Sequence, residues 1–85
     1  MSMILSSQIR SARHALRWSV IELARLSDVS TSTIKRIEAS DDIPNSTKAN
    51  IAALQSTFEA AGIEFIGTPE DGPGIRVHTK PDRGA

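Results

Sequence analysis

Residues 20–39 read VIELARLSDVSTSTIKRIEA, and this stretch decides the fold. Ser19 in front of it and Glu22 inside it have the form of a capping box, in which the two side chains satisfy exposed helix-start amides, so a helix begins at Ser19. That helix stops near Ser27, because Asp28-Val29-Ser30 is a turn signal. Ser30 is a good N-cap for a further helix of about 31–39, with Ile34 and Ile37 on one face. Two helices can cross steeply over so short a corner only if a small residue faces the crossing and apolar side chains meet beneath it. Ala24 supplies the small residue, Asp28 the corner, and Leu23, Val29, Ile34 and Ile37 the apolar set.

Working outward, Ile9, Ala12 and Leu16 recur at one-face spacing and predict a first helix over about residues 6–17. Ser40 to Asn45, with two acids and Pro44, reads as a loop. Ile51, Leu54, Phe58 and Ala61 then mark a fourth helix from about 46 to 61, closed by Gly62 at its C-terminal end. All five glycines lie at or beyond Gly62, and three of the four prolines follow it, so a helical block gives way to a turn-rich end. Within that end, 63–66 and 75–78 are short β-prone runs, the pattern of a hairpin with a long connection. Residues 79–85 are expected to form a flexible tail. The expected architecture is a mainly α, compact four- to five-helix domain over residues 1–78, helical to residue 61, with a short C-terminal β-hairpin.

Eighty-five residues make one small domain, and an apolar fraction of 39% with only Trp18, Phe58 and Phe65 as aromatics allows a modest, largely aliphatic core. The chain has no cysteine, which removes disulfides and thiolate metal sites and makes a reducing cytoplasm the expected compartment. The longest uninterrupted apolar run, Ile51 to Leu54, is far too short to span a membrane. Ten bases balance ten acids, but not evenly: residues 1–56 hold seven bases and five acids, residues 57–85 three bases and five acids. Positive charge is therefore gathered on the helical block.

Catalysis finds no support. His14 and His78 fall on different elements with no carboxylate or cysteine at ligand spacing, so no metal pair is expected. The serines sit in capping and turn contexts, not at a nucleophile elbow. No glycine-rich loop precedes a helix, so the phosphate-cradling motifs are missing too. Neither an enzyme nor a cofactor is expected.

The two-helix unit and its flanking helices resemble the helix-turn-helix of the Cro and lambda-repressor family, also called the Xre type. The likeness covers about residues 6–61 and rests on Trp18-Ser19, Glu22-Leu23-Ala24, Val29-Ser30, Thr33-Ile34 and Arg36-Ile37-Glu38. It implies a sequence-specific DNA-binding transcriptional regulator, expected to be a minimal repressor acting as a homodimer with its third helix in the major groove. The sequence departs from the family pattern at three places. Asp28 stands where a corner glycine is usual, Val20 where a phosphate-binding Gln is common, and Asp41 and Asp42 lie in a loop that often presents basic groups to DNA.

Carried onto this chain, the resemblance implies base contacts from Thr31, Ser32 and Arg36. Arg36 is the best candidate for specificity, because a guanidinium can bond guanine O6 and N7 together. Thr33 and Lys35 are placed for phosphate or a neighbouring base, and Ser19, Arg10, Arg17 and Lys48 are further phosphate candidates. Arg13 matches an arginine that bridges to a glutamate at the end of the recognition helix, here Glu38. Trp18 is expected to pack in the core.

An isolated two-stranded hairpin is marginal in water, so an edge must be paired or a face covered. One apolar face of the hairpin can cover the fourth helix near Phe58, and the hairpin, with Ile63, Phe65, Ile75 and Val77, is the expected dimer contact, its free edge pairing with the same edge of a second copy into a four-stranded sheet. The rival is dimerisation through the fourth helix alone, with the hairpin only covering the core. The alternative function is an antitoxin or other protein-interaction module that binds a partner through its C-terminal segment and autoregulates through the helix-turn-helix.

Overall fold

The structure is a computed structural model and describes residues 4–40 and 43–78. Four helices precede one hairpin: α1 (Ser6–Ala15), α2 (Val20–Ser27), α3 (Thr31–Ala39), α4 (Lys48–Ala60), β1 (Ile63–Thr68) and β2 (Asp71–Val77). The tail at 79–85 and the acid pair Asp41 and Asp42 lie outside the described residues.

The starts of α2, α3 and α4 are each set by a hydroxyl cap. At α2 the Ser19 hydroxyl accepts from the Glu22 amide at 3.0 Å and the Glu22 carboxylate accepts from the Ser19 amide at 3.1 Å, closing the box. Ser30 caps α3 through the Thr33 amide. Thr47 caps α4 through the Asn50 amide, which starts that helix at Lys48, two residues later than expected.

α1 ends at Ala15 and not near residue 17. The Arg17 amide donates to the His14 carbonyl and the Trp18 amide to the Arg13 carbonyl, the bond pair of a Schellman motif. This puts Arg17 in the left-handed position at φ 58°. Asp28 takes the same conformation, φ 64°, at the α2–α3 corner, where a short polar side chain tolerates it best among residues other than glycine.

The core lies where the helices converge: Ile9, Leu23, Ile34, Ile37, Leu54 and Phe58 are wholly buried. Trp18 packs against this core and stacks on Phe58 at 5.8 Å between ring centroids, and Phe58 meets Phe65 edge-on at 6.0 Å. All three aromatic rings of the chain thus form one string from the α1–α2 corner to the hairpin.

The hairpin differs from its sequence reading. Its strands run to Thr68 and from Asp71, so only Pro69 and Glu70 connect them, in place of a long loop. Thr68 pairs with Asp71 and Ile66 with Gly74, with an irregularity between. Gly67 at φ 78° and Gly72 at φ 61° absorb it. These glycines looked like loop in the sequence because their φ-permissive role in a bulge and in a turn has the same composition.

Candidate nucleic-acid interface

Ile34 and Ile37, both fully buried, fix the inner side of α3. With 3.6 residues per turn the opposite side then carries Ser32, Lys35 and Arg36, all exposed, and Thr31 and Thr33 stand half-buried on its flanks. The expected base-reading and phosphate residues of the third helix therefore come together on one convex surface. At its start the Ser30 hydroxyl donates to the Thr33 hydroxyl at 2.9 Å and lies 3.3 Å from that of Ser32. This orders the first turn, where hydroxyls and free helix-start amides point outward.

The other end of α3 is held by α1. Arg13 grips Glu38 with two parallel bonds of 2.8 Å, Nε to one carboxylate oxygen and Nη2 to the other, and its Nη1 donates to the Trp18 carbonyl at 3.0 Å. The side chains are only 14% and 10% exposed. The hydrogen bond that Arg13 donates to Glu38, more than the charge of Glu38, raises the Arg13 pKa, so this guanidinium is charged at every working pH.

Arg10 is placed otherwise than the sequence suggested. Read there as a phosphate contact, it is half-buried, and its Nη1 donates to the backbone carbonyls of Glu38 and Ser40. The last carbonyls of a helix lack intrahelical donors, and Arg10 supplies one from the neighbouring helix. Ser19 is exposed, but its amide is already bound by Glu22, whose carboxylate sits at the helix start where a phosphate would otherwise be received. Arg17 is exposed at the α1–α2 corner, and Lys48 is exposed at the first residue of α4.

The four hairpin residues are placed unequally. Ile63 is buried in the core of its own protomer, and Phe65 and Ile75 pack against that core; of the four only Val77 is well exposed, at 52%. The apolar face of the hairpin thus covers the chain's own helices, as expected, while β1 and β2 pair only with each other and each keeps an outer edge.

Sequence reasoning missed Gln8. Its side-chain Oε1 accepts from the Leu5 amide at 2.8 Å, and its Nε2 donates to the backbone carbonyls of Ile66 at 3.1 Å and Gly74 at 2.8 Å. A buried amide so ties the start of α1 to both strands, and nothing in its neighbours along the chain signals this.

No helix among the described residues is long and apolar enough to cross a membrane. A family model described as helix-turn-helix, of the Cro/C1 and Xre-like type, matches residues 9–53, which takes in most of α1, all of α2 and α3, and the start of α4. No curated protein and no solved structure matches the chain.

Proposed function

The chain belongs to the Cro/C1-type, Xre-like helix-turn-helix family of DNA-binding regulators, and from that membership we propose that it is a sequence-specific transcriptional repressor of the cytoplasm that binds its operator as a homodimer. α3 enters the major groove, Arg36 and Ser32 read base edges with Thr31 at the helix start, and Lys35 and Thr33 meet phosphate or a neighbouring base. The observation that carries this reading is the exposed Ser32–Lys35–Arg36 surface on a helix pinned beneath by two isoleucines and tied at its far end by Arg13 and Arg10. A reading surface must be both exposed and rigidly oriented, and this one is. The protein-partner alternative has less behind it, because three of the four apolar hairpin side chains face their own protomer.

Selecting bound sequences from a random DNA pool tests the proposal. A single preferred motif with two-fold symmetry is expected, and Arg36→Ala should flatten preference at one or two of its positions, whereas Lys35→Ala should weaken all sequences alike. A dimer making about 6–10 phosphate contacts should lose roughly 10³–10⁵ in affinity between 50 and 200 mM salt. Unchanged affinity and preference in Arg36→Ala would show that another surface does the reading.

A further inference from the structure

α4 turns an unpartnered face to solvent. Leu54 and Phe58 fix its buried side, and the opposite side carries Lys48, Ala49, Ala52, Ser56, Glu59 and Ala60, all exposed. The helix has only two charged residues, and both stand on one line of that face, since eleven residues make three turns plus about 20°. Their order is the reverse of what a lone helix favours: a cation at the positive N-terminal end and an anion in the negative last turn. Among the described residues neither makes an ion pair; Glu59 only accepts a hydrogen bond from Gln55 at 3.0 Å. A second helix running antiparallel would correct both ends at once.

We propose that this face is the contact between two copies of the chain, with α4 crossing its counterpart antiparallel about a two-fold axis near residues 53 and 54. Lys48 then meets Glu59 of the partner subunit, twice by symmetry. The inference rests on the homodimer reading and assigns its interface. Ala49, Ala52, Ser56 and Ala60 let the helix axes approach to about 8 Å, and a shallow crossing of about 20° keeps both charged ends in reach. Beside the face runs a recess of about 450 Å³ lined by Trp18, Leu26, Ser56, Thr57, Ala60 and Ala61. Leu26, 53% exposed, stands at its wall. One surface thus offers both a protruding apolar side chain and a hollow, which is what an isologous contact requires of itself.

The chain has no cysteine, so single introduced cysteines report cleanly. About an axis at residues 53 and 54 the two Ala52 Cα atoms would lie about 6 Å apart, within disulfide reach. Full-length Ala52→Cys should give a covalent dimer under mild oxidation at micromolar concentration, and Val77→Cys should not. In sedimentation Lys48→Glu and Glu59→Lys should each weaken the dimer roughly tenfold, and the double exchange should restore it to within about threefold. If the wild-type chain sediments as a dimer, covalent linkage through Val77→Cys but not Ala52→Cys, or a double exchange no tighter than the singles, overturns the α4 contact and leaves the homodimer standing. A wild-type chain that stays monomeric both free and on DNA overturns the homodimer reading and this inference with it.

Discussion

Arg13 and Glu38 face each other with two 2.8 Å bonds across the gap between α1 and the end of α3. Both side chains are largely withdrawn from water, so removing either leaves a charge stranded in a poorly hydrated place. Arg13→Ala should destabilise by about 3 kcal/mol and Glu38→Ala by somewhat less, since Arg13 also loses its bond to the Trp18 carbonyl. The double variant should cost less than the two singles together. Thermal melts followed by Trp18 fluorescence measure the cycle, and additivity would mean that the pair contributes nothing as a pair.

Arg17 and Asp28 both hold positive φ, but not at equal cost. A long side chain in the left-handed region is disfavoured by about 1–2 kcal/mol, while aspartate visits it more readily. Arg17→Gly should therefore raise stability by roughly 0.5–1 kcal/mol after the added freedom of the unfolded chain is set against it, and Asp28→Gly by less. Urea titration of the two variants would reverse this ranking if the Schellman turn owed its shape to contacts of the arginine side chain.

The helix-turn-helix was readable because its signals are local. Ser19 with Glu22, Ser30 and the isoleucine spacing each act within one turn of chain, and the structure places α2 and α3 as they predict. Arg10 shows the limit. Arg10, Arg13 and Arg17 form one stripe in sequence, yet one arginine ties carbonyls of α3, one pairs with Glu38 and one makes a turn. Which partner each meets depends on how α3 lies across α1, a tertiary fact with no local trace. Gln8 was hidden for the same reason, its partners Ile66 and Gly74 being far along the chain. The hairpin connection was misjudged because glycine and proline mark a bulge and a loop alike.

On the outer side of the hairpin the Glu64 carboxylate lies 2.7 Å from the His78 ring and 3.2 Å from the Arg76 guanidinium. The hydrogen bond from His78, then the charge of Arg76, holds Glu64 below the ordinary carboxylate range. A depressed carboxylate contributes stability that is present above its unfolded pKa of about 4.3 and is lost as pH falls through the lower folded value. Stability measured from pH 6 downward should thus decline more steeply in the wild type than in Glu64→Gln. The pair is open to solvent, so the difference should shrink further in 0.5 M salt; identical acid limbs would mean the contact is idle.

Gly67 and Gly72 face each other across the hairpin bulge and make unequal demands. A Cβ on Gly67 would lie 2.2 Å from the Gly72 carbonyl oxygen and 2.9 Å from that of Asp71, backbone atoms that cannot turn aside, and φ there is 78°. A Cβ on Gly72 would meet nothing within 4 Å, so only its φ of 61° resists substitution. Gly72→Ala should then cost about 1 kcal/mol, the price of one residue in the left-handed region. Gly67→Ala adds a steric conflict of about 1–3 kcal/mol and must open the strands or erase the bulge. Because Gln8 bonds Ile66 and Gly74 on either side of this point, opening the bulge should also loosen the start of α1. Amide hydrogen exchange checks the chain of consequences. Gly67→Ala should speed exchange across β1, β2 and the first turn of α1 while leaving α3 protected, and Gly72→Ala should change little outside the turn. Equal losses in the two variants would show that the close approach of Gly67 to the Gly72 carbonyl carries no weight in holding the hairpin to the helices.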